Sequence, residues 1–415
     1  MNFPIDAVRE RFPALELRDE GLPRIYFDNP AGTQVPRSVA DSAARCLLET
    51  NANLGGYFPT SLAAEQIFER AHRAMAHFLG AESFREIVAG PSMTALTFSI
   101  ARSLARRFAP GDELVVTRMD HDGNIAPWLT AAEDRGLVVR WVPFDERTWR
   151  VEPAEIERVL SSKTRLVALN YASNLTGAVN HVRDLVRRVH AAGALAYVDA
   201  VQFAPHRLID VQALECDFLT CSPYKFFGPH LGVLWGRKPL LEDLYAYKVR
   251  PQTAQLPWKF EVGTPPIEAL AALEAAVGYF EWLGSMFEPD GAPRSRIAAA
   301  FTAIEPWERA LTRSLIEGLA RLRGVRILGP AGDDRAHQRV PTVSLVHERH
   351  SPIALAQRLA AANVFVWSGH NFALETVRQL GIDEETGVLR IGLAHYNTPA
   401  EVATCLEVLE AAVSA

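Results

Sequence analysis

Along the first half of the chain, short apolar runs alternate with stretches whose apolar residues recur every three to four positions. Residues 86–89, 113–117, 137–142, 165–171 and 194–199 have the length and apolar content of strands buried on both faces. Between them, 94–107, 127–135, 153–160 and 181–192 carry helical periodicity. Strand followed by helix, repeated, predicts a mainly parallel sheet covered on both faces. In such sheets the functional groups gather at the carboxyl ends of the strands. Two more apolar runs, 218–222 and 232–235, flank a loop that contains Lys225.

Beyond Thr264 the pattern changes. Residues 266–283 read as a long Ala-rich helix and 284–294 as a loop. Helices near 307–323 and 353–362 then alternate with strands near 326–328, 342–345 and 388–392. The prediction is an α/β chain of two lobes. A large domain covers residues 15–270, and a smaller α+β C-terminal domain covers 271–415 together with 1–14. Residues 5–12 read as a short amphipathic helix able to pack on either lobe.

Composition narrows the class. With 48% hydrophobic and 22% charged residues, the balance is that of a globular chain, which excludes disorder, collagen and coiled coil. The net charge of −6 arises from mixed signs and exerts no global pull on nucleic acid or anionic lipid. Cys46, Cys216, Cys221 and Cys405 form no CxxC pair, so neither a disulfide framework nor a zinc ribbon is expected. Without a basic leader or a run of eighteen apolar residues, the expectation is a cytoplasmic protein with no membrane or nucleic-acid partner.

The nucleotide motifs that often accompany parallel sheets are missing. No GxGxxG follows the first strand, and GxxxxGK[ST] does not occur. Asp199 instead closes an apolar strand, where a carboxylate is costly unless it caps a turn or has a partner. Lys225 stands among aromatic residues in Ser222-Pro223-Tyr224-Lys225-Phe226-Phe227, after a second apolar strand. On a surface such a lysine would extend its head into water. In a desolvated pocket its pKa falls and it can form a Schiff base. The two together fit pyridoxal 5'-phosphate. The lysine takes the aldehyde, and the aspartate keeps the pyridine nitrogen protonated so that the ring accepts electrons.

These residues sit within a longer series, in order: Tyr26-Phe27-Asp28-Asn29, Asn51-Ala52-Asn53, Asp120-His121-Asp122-Gly123-Asn124-Ile125, Ser173-Asn174, Val198-Asp199-Ala200-Val201-Gln202, Ser222-Pro223-Tyr224-Lys225, Gly263-Thr264-Pro265, Ser368-Gly369-His370 and Arg390-Ile391-Gly392-Leu393-Ala394. From about Tyr26 to Thr398 the chain resembles the class V aminotransferase family of fold-type I pyridoxal-phosphate enzymes. It is most similar to the branch of SUF-type cysteine desulfurases, selenocysteine lyase and isopenicillin N epimerase. The resemblance implies a mainly parallel seven-stranded sheet in the large domain, and catalytic roles for Lys225, His121 and Asp199.

For the cofactor, the resemblance implies phosphate contacts from Ser92, Met93, Thr94 and Ser222. Thr264 would reach the phosphate of a neighbouring subunit, making a homodimer with shared active sites. His121 would stack on the ring, and Asn174 and Gln202 would bond its phenolic oxygen. On its residues alone, His121 is equally a surface histidine, or a metal ligand with Asp122. Substrate contacts would come from Asn29, Arg390, Trp367, His370 and Phe372, with Arg390 taking the carboxylate in a two-pronged bond.

The pattern departs from the desulfurases on the substrate side. In Trp367-Ser368-Gly369-His370-Asn371-Phe372-Ala373, Phe372 stands at the position of the persulfide-forming cysteine, and Trp367 replaces an arginine. Tyr224 stands where desulfurases have histidine. A substrate bulkier or less polar than free cysteine is expected. The outcomes open to such an enzyme are β-elimination of a cysteine-like substrate, transamination and epimerisation, with elimination leading. A cofactor-binding scaffold without catalysis is the rival from another class.

Overall fold

In the computed structural model of the chain, which describes residues 3–414, seven strands build the larger sheet. They are β1 (Ile87–Gly90), β2 (Glu113–Thr117), β3 (Val138–Val142), β4 (Thr164–Asn170), β5 (Leu195–Asp199), β6 (Phe218–Cys221) and β7 (Gly232–Gly236). Their order is β1-β7-β6-β5-β4-β2-β3, and only β7 runs against its neighbours. This is the mainly parallel seven-stranded α/β fold that the alternating pattern predicts.

Most strands read as apolar runs because both faces are covered, whereas the edge strand β3 exposes Val138 and Arg140 on one face. Successive side chains point to opposite faces. On β4, Val167 and Leu169 therefore enter one core while Leu166 and Ala168 enter the other. On β5, Ala196 and Val198 face the first core and Tyr197 the second. Helix Val182–Ala191 covers the first face with Leu185, Val186 and Val189. Helices Met93–Ala105 and Ala126–Arg135 cover the second with Ile100, Leu104, Trp128 and Ala131.

Four strands form a smaller antiparallel sheet: β8 (Val325–Leu328), β9 (Thr342–His347), β10 (Trp367–Gly369) and β11 (Val388–Gly392), ordered β8-β9-β11-β10. Helices Pro352–Ala361 and Pro399–Ser414 pack on it through Leu355, Leu359, Val402 and Leu409. Trp367–Gly369 lies in a stretch the pattern leaves as loop. It pairs with β11 and sets Trp367 directly opposite Arg390.

The loop expected over 284–294 spans residues 286–292, between helix Ile267–Ser285 and the next, which begins at Pro293. One expectation is corrected: the helix expected near 307–323 starts at Pro293 and ends at Leu319. That next helix, Pro293–Leu319, is unbroken and carries Pro306 inside it. A mid-helix proline removes a hydrogen bond. Here both halves are anchored, which offsets that loss: Ile297, Phe301 and Ile304 in the core of the larger sheet, Leu311, Leu315 and Leu319 in that of the smaller. The change of core therefore falls across Pro306. Helix Ile267–Ser285 belongs with the larger sheet through Leu270, Leu273, Phe280 and Leu283.

The N-terminal residues bridge the lobes. Helix Ile5–Arg9 sends Val8 into the larger core, followed by Phe12. Arg9 bonds the Tyr396 carbonyl at 2.7 Å and Glu401 at 2.9 Å. Ile25–Tyr26 then pairs with Val364–Phe365 beside the smaller sheet. Helices Arg37–Glu49 and Pro59–Leu79, which the sequence pattern does not single out, pack against helix Ile267–Ser285.

Candidate active site

Asp199 is the last residue of β5 and Asn170 the last of β4, directly opposite it. Ser222 follows β6, the Asp120-His121 turn follows β2, and Ser92 follows β1. Carboxyl ends of parallel strands thus converge on one cavity of about 600 Å3. Its walls include Ser92, Met93, Thr94, His121, Asn174, Asp199, Gln202, Ser222 and Lys225, with Trp367, Phe372 and Arg390 on the side of the smaller sheet.

The end of the cavity beside β1 is shaped for an anion. Gly90-Pro91-Ser92 leads into helix Met93–Ala105, whose first main-chain N–H groups have no partner one turn earlier. Ser92 caps that helix by accepting from the Ala95 N–H at 3.1 Å. β7 lies so close here that a Cβ on Gly232 would come within 2.1 Å of the Ser92 carbonyl carbon and 2.2 Å of the Met93 nitrogen. Only glycine fits at that strand position.

At the centre, Lys225 occupies the last position of the 3-10 turn Pro223–Lys225. Its Nζ donates to the Pro30 carbonyl and, at 2.9 Å, to the Ala31 carbonyl. Desolvation, with the nearby Arg390 cation, pushes its pKa down to about 7. Asp199 is 4% exposed and accepts the Val201 N–H at 2.8 Å. Burial pushes its carboxyl up to about 7 against that bond and the Lys225 charge. Burial, Lys225 and Arg390 together hold His121 down near 4, so its ring is neutral. His121 Nδ1 accepts the Gly123 N–H at 2.9 Å, and its ring lies 5.5 Å from that of Phe372 at 28°.

Several buried polar atoms at the cavity lack a protein partner. Asn174 spends its amide on the Asn371 carbonyl at 2.7 Å, which leaves Oδ1 unpaired. Gln202 donates to Thr342 Oγ1 at 3.1 Å and leaves Oε1 unpaired. Arg390 donates from Nη1 to the Asn174 carbonyl at 3.0 Å and leaves Nε unpaired. Unmatched buried groups are rare in folded proteins, and these three residues line one cavity, where a ligand could complete their bonding. An amine of depressed pKa, a buried carboxyl, a neutral imidazole, an anion cradle and an unspent guanidinium are the donor set that pyridoxal phosphate with an amino acid requires. The residues fit the group.

Three sequence-derived residues lie elsewhere. Asn29 is 3% exposed and its amide is spent on the carbonyls of Tyr26 and Gly392, both at 2.9 Å, while its oxygen accepts from the Tyr396 hydroxyl. It joins the two lobes and is not among the cavity walls. His370 is not among the cavity walls; its Nδ1 accepts the Phe372 N–H at 3.0 Å. Thr264 is exposed and outside this chain's own cavity. The cavity also uses groups the sequence reading passed over. The carbonyls of Pro30 and Ala31 carry no residue-type signal. Phe98 and Asn371 are set there by a helix turn and a loop whose direction the sequence does not reveal.

All four cysteines are buried and unpaired. Burial raises the thiols of Cys216 and Cys221 and holds Cys405 at about 12. The 371–372 loop carries two consecutive non-glycine residues in the left-handed region, Asn371 at φ 52° and Phe372 at φ 57°. Asn174 and the Asp122 N–H, which donates to the Phe372 carbonyl at 2.7 Å, hold the loop in place.

Comparison with known proteins places the chain in a family. The aminotransferase class-V model matches residues 25–404. The chain belongs to that family and has the fold-type I architecture of its pyridoxal-phosphate enzymes. It is 34% identical to the aminotransferase-like protein FGM3 of Gibberella zeae, over 99% of this chain and 98% of that protein. It is 31% identical to a probable cysteine desulfurase of Streptomyces coelicolor, over 98% and 96% respectively. The apo structure of a cysteine desulfurase from Thermococcus onnurineus superposes with a TM-score of 0.87 at 28% identity, covering 100% of this chain and 99% of that one. No helix among the described residues is long and apolar enough to cross a membrane.

Proposed function

We propose that the chain is a pyridoxal-phosphate enzyme that cleaves a cysteine-type L-amino acid by β-elimination and forms no protein persulfide. One observation carries this reading. The cavity unites Lys225, Asp199, His121 and Arg390, while its rim presents Phe372 and every thiol is buried.

Lys225 would hold the cofactor's aldehyde carbon, Asp199 its ring nitrogen, Asn174 and Gln202 its phenolic oxygen, and Ser92, Met93, Thr94 and Ser222 its phosphate. Thr264 of a second copy would complete the phosphate site in a homodimer. The bound cofactor supplies an electron sink for the pair left at the substrate α-carbon. Arg390 orients the substrate through its carboxylate. The Lys225 amine, whose pKa is lowered to about 7 so that a large share is unprotonated at neutral pH, takes the α-proton. Tyr224 keeps its proton because burial raises its pKa, and its ring lies 4.7 Å from Lys225 Nζ. It can protonate the departing sulfur. The balance is RS–CH2–CH(NH3+)–COO− + H2O → RSH + pyruvate + NH4+.

Trp367 and Phe372 give the mouth of the cavity an apolar surface, which suits an S-substituted cysteine better than free cysteine. The test is product analysis of the cofactor-loaded protein with a panel of amino acids and S-conjugates. Equimolar thiol, pyruvate and ammonia support the proposal. A keto acid with aminated cofactor would replace it by transamination, and α-hydrogen exchange without breakdown by epimerisation. No spectral response to any amino acid would leave a scaffold.

A further inference from the structure

Thr33 is not a wall of the cavity, yet it is tied to the lysine turn by three hydrogen bonds. Its main-chain N–H donates to the Tyr224 carbonyl at 3.0 Å, and its hydroxyl donates to the same carbonyl at 3.2 Å. The same hydroxyl oxygen accepts the Phe227 N–H at 2.9 Å. One side chain therefore grips the residue before Lys225 and the residue two positions after it.

Phe227 explains the need for this grip. Its φ is +67°, a left-handed value that a non-glycine residue holds only when its surroundings impose it. Its ring is buried among Phe12, Tyr279 and His395, at 5.6, 5.8 and 4.7 Å. That packing fixes the ring, and Thr33 fixes the N–H. The segment before Thr33 supplies the two carbonyls, of Pro30 and Ala31, on which the Lys225 amine rests. In the same turn the Ala31 N–H bonds the Asp28 carbonyl at 2.7 Å. Carbonyl cradle and lysine turn are separate stretches of chain, and the Thr33 main chain and hydroxyl tie one to the other.

We propose that Thr33 is a positioning residue for Lys225: its hydroxyl holds the lysine turn and the Pro30–Ala31 carbonyls in the register that presents the amine to the cofactor. The inference rests on the reading that Lys225 carries pyridoxal phosphate. Valine matches threonine in shape but has no hydroxyl, and serine keeps the hydroxyl.

The measurements are made on full-length protein stripped of cofactor. Uptake of pyridoxal phosphate is followed by visible absorbance, and the pH midpoint of the loaded protein's absorbance is determined. Thr33→Val is expected to slow uptake about tenfold, the equivalent of one lost hydrogen bond, and to move the midpoint. Thr33→Ser should stay within about twofold of wild type on both measures. If Thr33→Val does not fold, Thr33→Ala is compared with Thr33→Ser in the same way. Wild-type rate and midpoint in the variant without the hydroxyl, or equal impairment in Thr33→Ser, would overturn the role of Thr33. Failure of the wild-type protein to take up the cofactor would instead overturn the reading on which it rests.

Discussion

Trp367 and Arg390 are cross-strand partners, directly opposite each other in the antiparallel pair β10–β11. On the proposed function, a substrate held by its carboxylate on Arg390 would have an indole at hand, and Arg390 would bear the anchoring. Arg390→Lys keeps the charge and loses the planar fork. It should raise KM for the best substrate by about ten- to a hundredfold and change kcat less. Steady-state kinetics reads this, and an unchanged KM would remove Arg390 from the substrate site.

The Lys225 amine sets a pH dependence. Its pKa lies near 7, far below the ordinary lysine value, because burial and Arg390 disfavour the ammonium. Only the neutral amine attacks an aldehyde. Cofactor uptake by the stripped protein should thus rise with pH up to about 7 and then level off. Arg390→Met removes a neighbouring cation and should move the plateau to higher pH. Uptake that climbs steadily to pH 10 in the wild type would contradict the desolvated amine.

Asp199 makes the opposite contribution to stability. Its folded-state pKa, near 7, lies above the ordinary carboxylate value, so the folded protein binds the extra proton between about pH 4 and 7. Stability of the cofactor-free protein falls as pH rises through that window, and above it the penalty for the buried charge is fully present. Asp199→Asn should stabilise the stripped protein at pH 8, on the order of 3 kcal/mol, and do little at pH 4. Chemical denaturation at the two pH values checks the sign. A variant less stable than wild type at pH 8 would contradict it.

Gly232 fits against the anion cradle with no room for a methyl group. In Gly232→Ala, the Ser92–Met93 main chain must move, at a cost of about 1–3 kcal/mol. Thermal unfolding should show that loss, and cofactor affinity should fall because the cradle is displaced. Unchanged affinity would mean that the phosphate is held elsewhere.

Phe372 faces the mouth of the cavity and stacks near His121. Phe372→Ala should lower kcat/KM for S-benzyl-cysteine about tenfold or more, with a smaller effect on S-methyl-cysteine. Equal losses on both would assign Phe372 to the cofactor instead of the leaving group.

Most of the sheet was legible because its inner strands are covered on both faces. The apolar residues 114–116 between Glu113 and Thr117 need no tertiary information, and 113–117 matches β2 residue for residue. The first half of the Pro293–Leu319 helix was not legible, because proline usually ends a helix and only the two cores gripping its halves keep it continuous. β10 was read as loop since it has three residues and a glycine. In the site, Lys225, Asp199 and Arg390 stood out as charges inside apolar strands or aromatic surroundings, where they demand a reason. Asn29 carried the family motif, yet its amide serves the junction of the lobes. Thr33 gave no signal, because it acts on main-chain atoms of a segment far along the chain.

The most direct measurement is reduction of the cofactor-loaded protein with borohydride, followed by peptide mass mapping. The reduced pyridoxyl phosphate should be found on Lys225 alone and vanish in Lys225→Ala. A label on another lysine, or no label on protein that has bound the cofactor, would contradict it.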